Sequence, residues 1–297
     1  MFTGLSAFPL TPVTDDRVDE EAFVRLVGRL RDAGVDSIGA LGSTGSYMYL
    51  NREERARVAA LAVEAAGDVP VIVGIGALRT RDAVAAAEDA HAAGAAGVLL
   101  APVGYQKLSE DEVFGLFADV TRSLSVPLVI YDNPGTTHFT FTPELYARIA
   151  GLPHVASVKI PGVPADPDAA TAHVAGLRHG LPVRFTIGVS GDAAAANGLI
   201  AGCDTWYSVI GGTLPELAIE LTAAARSGDA ERAGAVSDRL APLWHLFAAH
   251  GSLRVVAAIA ALLDLTAAEN LPSPVRGLDA AMRDEVRGAL RRVGIDA

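Results

Sequence analysis

Ala92-Ala-Gly-Ala-Ala-Gly-Val-Leu-Leu100, "AAGAAGVLL", closes one kind of segment and opens another. The alanine-rich side reads as a helix that stops on Gly94, since glycine takes left-handed backbone without a Cβ penalty. Val98–Leu100 then reads as a short strand buried on both faces. The same grammar recurs at Asp32–Ala40, "DAGVDSIGA", and at Ile200–Val209, "IAGCDTWYSV". A helix that passes within a few residues into a buried strand is the unit of a parallel sheet covered by helices.

Extending that unit along the chain gives candidate strands at Thr3–Phe8, Ser37–Leu41, Val71–Gly74, Gly97–Leu100, Pro127–Tyr131, Val155–Lys159, Val183–Ile187 and Asp204–Val209. Helices are expected between them, near Glu20–Ala33, Arg52–Ala66, Thr80–Ala93, Glu110–Ser123, Pro143–Ile149, Ala169–Leu177 and Asp192–Ala201. Thr142-Pro143-Glu144 is a good helix start: a hydroxyl cap, a proline in the first turn and an early carboxylate. Eight strands alternating with helices predict a (β/α)8 TIM barrel over residues 1–212. The remainder, 213–297, reads as a C-terminal helical extension with helices near Leu214–Arg226, Ala230–Ala249, Leu253–Leu263 and Asp279–Val293. "LPSPVRGL" (Leu271–Leu278) separates the last two. A doubly wound open sheet shows the same alternation, because alternation alone does not establish closure. No Pro/Ser-rich linker divides the chain.

The composition, 51% hydrophobic over 297 residues, supports a large core and argues against disorder. A net charge of -11 with no basic cluster argues against nucleic-acid binding. The uncharged stretch between Asp89 and Lys107 is broken by Gly94, Gly97, Pro102 and Gly104, so it reads as helix end, strand and loop rather than a membrane span. The single cysteine, Cys203, excludes an intrachain disulfide and a multi-cysteine zinc site. The seven histidines lack metal-ligand spacing and read as surface or packing residues. "MFTGLSAFPLTP" lacks the basic and long apolar segments of a signal peptide, so a cytoplasmic protein is expected.

In such a barrel, functional groups cluster at the C-terminal ends of strands. Four predicted ends carry unusual chemistry: "GSTGS" (Gly42–Ser46), Tyr131 in "YDNPGTT", Lys159 in "VASVKIPG", and "TWYSVIGG" from Thr205. Closure would bring Tyr131 and Lys159, on consecutive units, close together. A lysine in an apolar strand can pair with a carboxylate or snorkel to water. It can also serve as a nucleophile, since apolar walls disfavour an ammonium and leave a free amine to condense with a ketone. A nearby phenol could relay protons. The Gly-Ser-Thr-Gly turn offers hydroxyls and exposed N–H groups, a cradle for a small carboxylate. Together these describe a site for a 2-keto acid. Taken singly they are weaker: such a tyrosine is commonly a packed aromatic, and Gly/Ser/Thr turns are common.

In this order along the chain, "GSTGS", "YDNPGTT" and "VKIPG", with "FPLTPVTDDRVD" near the start, "SGD" at 190–192 and the helical tail, resemble the dihydrodipicolinate synthase / N-acetylneuraminate lyase family. The resemblance implies a class I, pyruvate-linked aldolase or lyase on a (β/α)8 barrel. Lys159 is similar in position to the Schiff-base lysine, and Tyr131 to the proton-transferring phenol. Ser43 and Thr44 match the Thr-Thr pair that holds the pyruvyl carboxylate. The resemblance also implies a homotetramer, a dimer of dimers, with no metal and no organic cofactor.

The chain departs from the family pattern at several positions. Ser46 stands where the family has glutamate. Thr136 stands where the synthase has an arginine that binds the aldehyde's carboxylate, a buried contact worth about 2–3 kcal/mol. Val103 and Gly104 stand where the synthase has a Tyr-Tyr segment that lends one tyrosine to the neighbouring subunit, with Tyr105 one place later. Tyr207 replaces a small aliphatic residue near the keto-acid pocket. The expected reaction therefore joins or cleaves pyruvate, or another short 2-keto acid, and an aldehyde other than aspartate semialdehyde. Lys159 and Tyr131 are the candidate catalytic residues, and Ser43, Thr44, Tyr207, Thr136 and Tyr105 the candidate substrate contacts. The biosynthetic synthase itself, a 2-keto-3-deoxy-sugar-acid aldolase or dehydratase, and a non-catalytic keto-acid-binding barrel are the alternatives.

Overall fold

The structure, a computed structural model, describes residues 2–296. β1 (Gly4–Ala7) leads into a small antiparallel hairpin, β2 (Val13–Thr14) and β3 (Arg17–Val18). Then come α1 (Glu20–Ala33), β4 (Ser37–Ala40), α2 (Arg52–Ala66), β5 (Val71–Gly74), α3 (Thr80–Ala92), β6 (Gly97–Leu100), α4 (Glu110–Thr121) and β7 (Leu128–Tyr131). A one-turn helix α5 (Pro134–Thr137) and α6 (Pro143–Ala150) precede β8 (Val155–Ile160). The ring is completed by α7 (Pro167–His179), β9 (Thr186–Val189), α8 (Ala195–Ile200) and β10 (Thr205–Ser208). Four helices follow: α9 (Pro215–Arg226), α10 (Ala230–His250), α11 (Ser252–Leu262) and α12 (Ala280–Arg292).

All strands but those of the hairpin form a closed parallel barrel in the order β1-β10-β9-β8-β7-β6-β5-β4. The protein is thus a (β/α)8 barrel with C-terminal helices, and the open-sheet alternative falls away. Local sequence explains the element ends. Asn51 and Ser109 form capping boxes with Glu54 and Glu112. Gly34 ends α1 in the left-handed region at φ 77°. α9 lies over β1, α10 packs on α8 and α9, and α12 packs on α10 and α11. Buried Asn270, in the loop before α12, ties that tail to the barrel face. Its carbonyl accepts from Val13 N–H at 3.1 Å, and its amide donates to the Ala257 carbonyl at 2.9 Å.

One strand is displaced from its expected place. Val183–Ile187 reads as β-branched and apolar, yet β9 begins at Thr186 and Val183 is wholly exposed. The Phe185 N–H donates to the Pro182 carbonyl at 2.8 Å, a turn that delays the strand. Pairing with β8 starts only at Ser157↔Thr186 and continues through Lys159↔Gly188. The hairpin at 13–18 and α5 are too short for periodicity to reveal. No helix among the described residues is long and apolar enough to cross a membrane.

Two cores result. One fills the layer between strands and helices. The other lies inside the barrel and is built from Phe2, Phe8, Ile72, Leu99, Ala101, Val129, Tyr131 and Tyr207. Glycines make room for its large rings. A Cβ on Gly39 would sit 2.3 Å from the Phe8 ring, and one on Gly188 would sit 2.2 Å from the Tyr207 ring. We expect Gly188→Ala to destabilise the protein by about 1–3 kcal/mol through overpacking. Adding Tyr207→Leu, which removes the crowding atoms, should recover part of that loss in a double-mutant cycle of thermal unfolding.

Candidate active site

Lys159 lies on β8, where Ser157 and Lys159 face the barrel interior while Val158 and Ile160 face the helix layer. Tyr131 is its direct partner on β7, and Val129 opposes Ser157. That pairing depends on a β-bulge: the register shifts between Leu128 and Val129, leaving Ala156 unpaired. Were pairing to continue in step from Leu128↔Val155, Tyr131 would oppose Val158, and phenol and amine would lie on opposite faces of the sheet.

The Lys159 Nζ sits 4.2 Å from the centre of the Phe8 ring, 4.3 Å from that of Tyr131 and 5.9 Å from that of Tyr207. The residue is only 4% exposed. Among the described residues no carboxylate forms an ion pair with it. Of the ways a lysine settles into a strand, neither pairing nor reaching bulk water applies here. Electron-rich ring faces are the surroundings that offset the desolvation of its charged form.

The Tyr131 hydroxyl donates to Ser43 Oγ at 3.1 Å, so the expected phenol and turn converge on one point. Ser43 and Thr44 follow β4 through a tightly packed bend. Leu41 has φ 56°, and a Cβ on Gly74 would lie 1.8 Å from the Leu41 carbonyl oxygen. Among the described residues the N–H groups of Ser43 and Thr44 find no acceptor, and the Thr44 hydroxyl has no partner. Unpaired donors beside a buried amine suit a small carboxylate.

Tyr207 is completely buried and forms the floor of this space, its Oη 3.0 Å from Ser157 Oγ and its ring edge-on to Phe8. Burial pushes its phenol above the ordinary range. Thr136 is exposed on α5, with its hydroxyl accepting from Asn133 Nδ2 at 3.0 Å. Tyr105 stands 91% exposed and lines a surface cavity of about 200 Å³ with Thr137, His138 and Phe139, outside the Lys159–Tyr131–Ser43 cluster. Ser46 is buried with an unpartnered hydroxyl. Among the described residues no group of three or more His, Cys, Asp or Glu is placed to hold a metal ion.

Several site residues escape the sequence reading. Phe8 and Ser157 sit in quoted motifs, yet nothing in their types marks a wall or a floor. Asn133 does carry a signal, an amide inside "YDNPGTT", and contacts Tyr131, Ser43 and Thr136. Asp192 of "SGD" accepts from Trp206 Nε1 at 3.0 Å and from the N–H groups of Val209 and Ile210 at 3.1 and 2.6 Å. Those bonds fasten the end of β10 beside the site. Burial raises the Asp192 carboxyl, while these donors and the charge of Lys159 oppose the rise.

Asp132, next to Tyr131, is buried; Tyr146 Oη donates to its Oδ2 at 2.5 Å, and Oδ1 has no partner. Burial lifts this carboxyl above its ordinary 3.8, with the Tyr146 bond opposing the shift. Folding therefore favours its protonated form, and its contribution is complete below the ordinary range and lost as pH rises through the lifted value. Asp132→Asn should gain melting temperature relative to the unsubstituted protein at neutral pH. Calorimetry across pH should show that gain shrinking as pH falls through the lifted value and levelling off below about pH 4, where both forms carry a neutral side chain.

A model of the Dihydrodipicolinate synthetase family matches residues 1–293. A 4-hydroxy-tetrahydrodipicolinate synthase of Hyphomonas neptunium is 36% identical over 245 residues, 81% of each chain. One from Methylococcus capsulatus is 31% identical over 291 residues, 97% of each chain. Among solved structures, a dihydrodipicolinate synthase from Agrobacterium tumefaciens superposes with a TM-score of 0.95 at 47% identity, covering 99% of this chain and 98% of that one. The match runs through barrel, cluster and helical tail together: this chain belongs to the dihydrodipicolinate synthetase family.

Proposed function

We propose that the protein is a class I lyase or aldolase that holds a short 2-keto acid, pyruvate in the simplest case, as an imine on Lys159. The observation that carries this reading is the buried, unpaired amine 4.3 Å from the Tyr131 ring, whose hydroxyl bonds Ser43. The amine adds to the ketone carbon, the carbinolamine loses its oxygen as water, and a protonated imine remains. That imine withdraws electrons from the neighbouring bond, so C3 can lose a proton to form an enamine. The enamine carbon then attacks an aldehyde, and the reverse sequence cleaves the product. Tyr131 carries the protons. Ser43 and Thr44, with their free N–H groups and the Thr44 hydroxyl, take the keto-acid carboxylate. The reaction needs no metal and no organic cofactor, because the lysine is itself the electron sink.

Tyr207 closes the floor beneath the bound keto acid. Thr136 and Tyr105 belong to the aldehyde side, where we assign them to the rim of the site. Thr136 offers a hydroxyl and no charge, which favours an aldehyde without a carboxylate at that end. Cleavage of a sugar acid, or its dehydration through the same imine, fits that neutral rim. The biosynthetic synthase is the second reading, favoured by the names of the curated relatives. We further propose a cytoplasmic homotetramer, a dimer of dimers. Exposed Met48 and Leu78, which line one groove between α2 and α3, supply apolar surface for a second copy. For the organisation of the chain we retain a barrel unit over 1–212 and a helical unit over 213–297.

Two variants test the assignment. Tyr131→Phe should lower kcat roughly 10²–10⁴-fold, the usual worth of a positioned acid–base group. On a panel of aldehydes with pyruvate, neutral ones should be preferred to aspartate semialdehyde. Thr136→Arg should move that preference by about tenfold or more toward the carboxylate-bearing aldehyde, as a charged hydrogen bond contributes about 1.5–3 kcal/mol. Strong activity of the unsubstituted protein with aspartate semialdehyde would instead select the second reading.

A further inference from the structure

We propose that Asn133 is a positioning residue that fixes the hydroxyl of Tyr131 from within the same chain; the inference rests on the imine reading above. Asn133 occupies the position just before α5, where an asparagine ordinarily turns its side chain onto the N–H groups of the first helical turn. Here it does not: no side-chain cap bond forms. Its backbone carbonyl takes over the helix start, accepting from the Thr136 and Thr137 N–H groups, each at 2.9 Å, and from Thr137 Oγ1 at 3.0 Å. The amide is thereby released toward the barrel mouth.

Its Nδ2 lies 3.0 Å from Tyr131 Oη, 3.4 Å from Ser43 Oγ and 3.0 Å from Thr136 Oγ1. The single phenol proton is directed to Ser43, so the group facing Oη must donate, which an amide nitrogen does. One N–H points at Oη and the other at Thr136 Oγ1, so Thr136 holds the amide in that orientation. Tyr131 consequently receives one hydrogen bond and gives one, and its proton lies on the Ser43 side. When the phenol hands its proton on, the Asn133 N–H faces the oxygen that becomes charged. This places the orientation of the phenol in a single chain, where the family pattern draws on a tyrosine from a neighbouring subunit. The neutral Thr136 acquires a role of its own, that of locking the amide.

The test reads exchange of the pyruvate methyl protons with deuterated solvent, followed by proton NMR, which needs no knowledge of the aldehyde. Asn133→Leu removes both donors at similar volume. It should slow exchange at saturating pyruvate roughly 10–100-fold, the scale of a misaligned proton carrier, with half-saturation by pyruvate changed less than about threefold. Asn133→Asp keeps the shape but accepts instead of donating, until its carboxyl is protonated. Its deficit relative to the unsubstituted protein should narrow as pH falls toward the carboxyl range. A purely structural role would lower melting temperature without that pH signature. Exchange in Asn133→Leu within about twofold of the unsubstituted protein would overturn the inference and leave the imine reading standing. Should Asn133→Leu fail to fold, a pH-independent deficit in Asn133→Asp overturns it as well. Unsubstituted protein that exchanges no pyruvate protons removes the imine reading, and this inference with it.

Discussion

The proposed chemistry rests on a shift of register between β7 and β8. The bulge at Ala156 sets Tyr131 against Lys159 and turns both toward the barrel interior. In a sheet the alternation of faces is strict, so a one-residue slip would send the amine into the helix layer, among Val158 and Ile160. The rings around the amine fit that register. Gly188, opposite Lys159, leaves space for the Tyr207 ring, and Phe8 closes the other side of the amine. The lysine is enclosed by rings and forms no ion pair among the described residues, the arrangement on which the proposed imine chemistry draws.

The barrel was legible because its repeating signal is chemical as well as periodic. Glycine at the helix end and a short apolar strand after it recur in several units, as at Gly34 and Gly94. The strand ends bearing Tyr131 and Lys159 could be read for the same reason. What could not be read depends on packing between distant segments. Val183 looks like strand, but only the pairing with β8 decides where β9 starts. Phe8 and Ser157 enter the site through the barrel closure and the bulge, neither of which has a local pattern, and the turn of the Asn133 amide away from the α5 cap follows from contacts with Tyr131 and Thr136. Tyr105 lies outside the cluster within one chain because its loop points outward.

The departures from the family pattern form a consistent set. A threonine at 136 removes a guanidinium from the rim, and the hydroxyl that replaces it receives the Asn133 amide. That amide reaches the phenol whose family partner is altered at 103–105. Loss of one interaction and gain of the other thus fall on the same segment, Asn133–Thr137, held as one turn of helix. On the proposed reading, a site built this way keeps the keto-acid half of its chemistry and changes the half that meets the aldehyde.

The central claim is that the Lys159 amine condenses with a keto acid. Reduction with borohydride in the presence of pyruvate, followed by peptide mapping by mass spectrometry, addresses it directly. The account predicts a stable adduct with the mass of reduced pyruvate, confined to the peptide carrying Lys159 and absent from Lys159→Ala. An adduct on another lysine, or none with any short 2-keto acid, would contradict it.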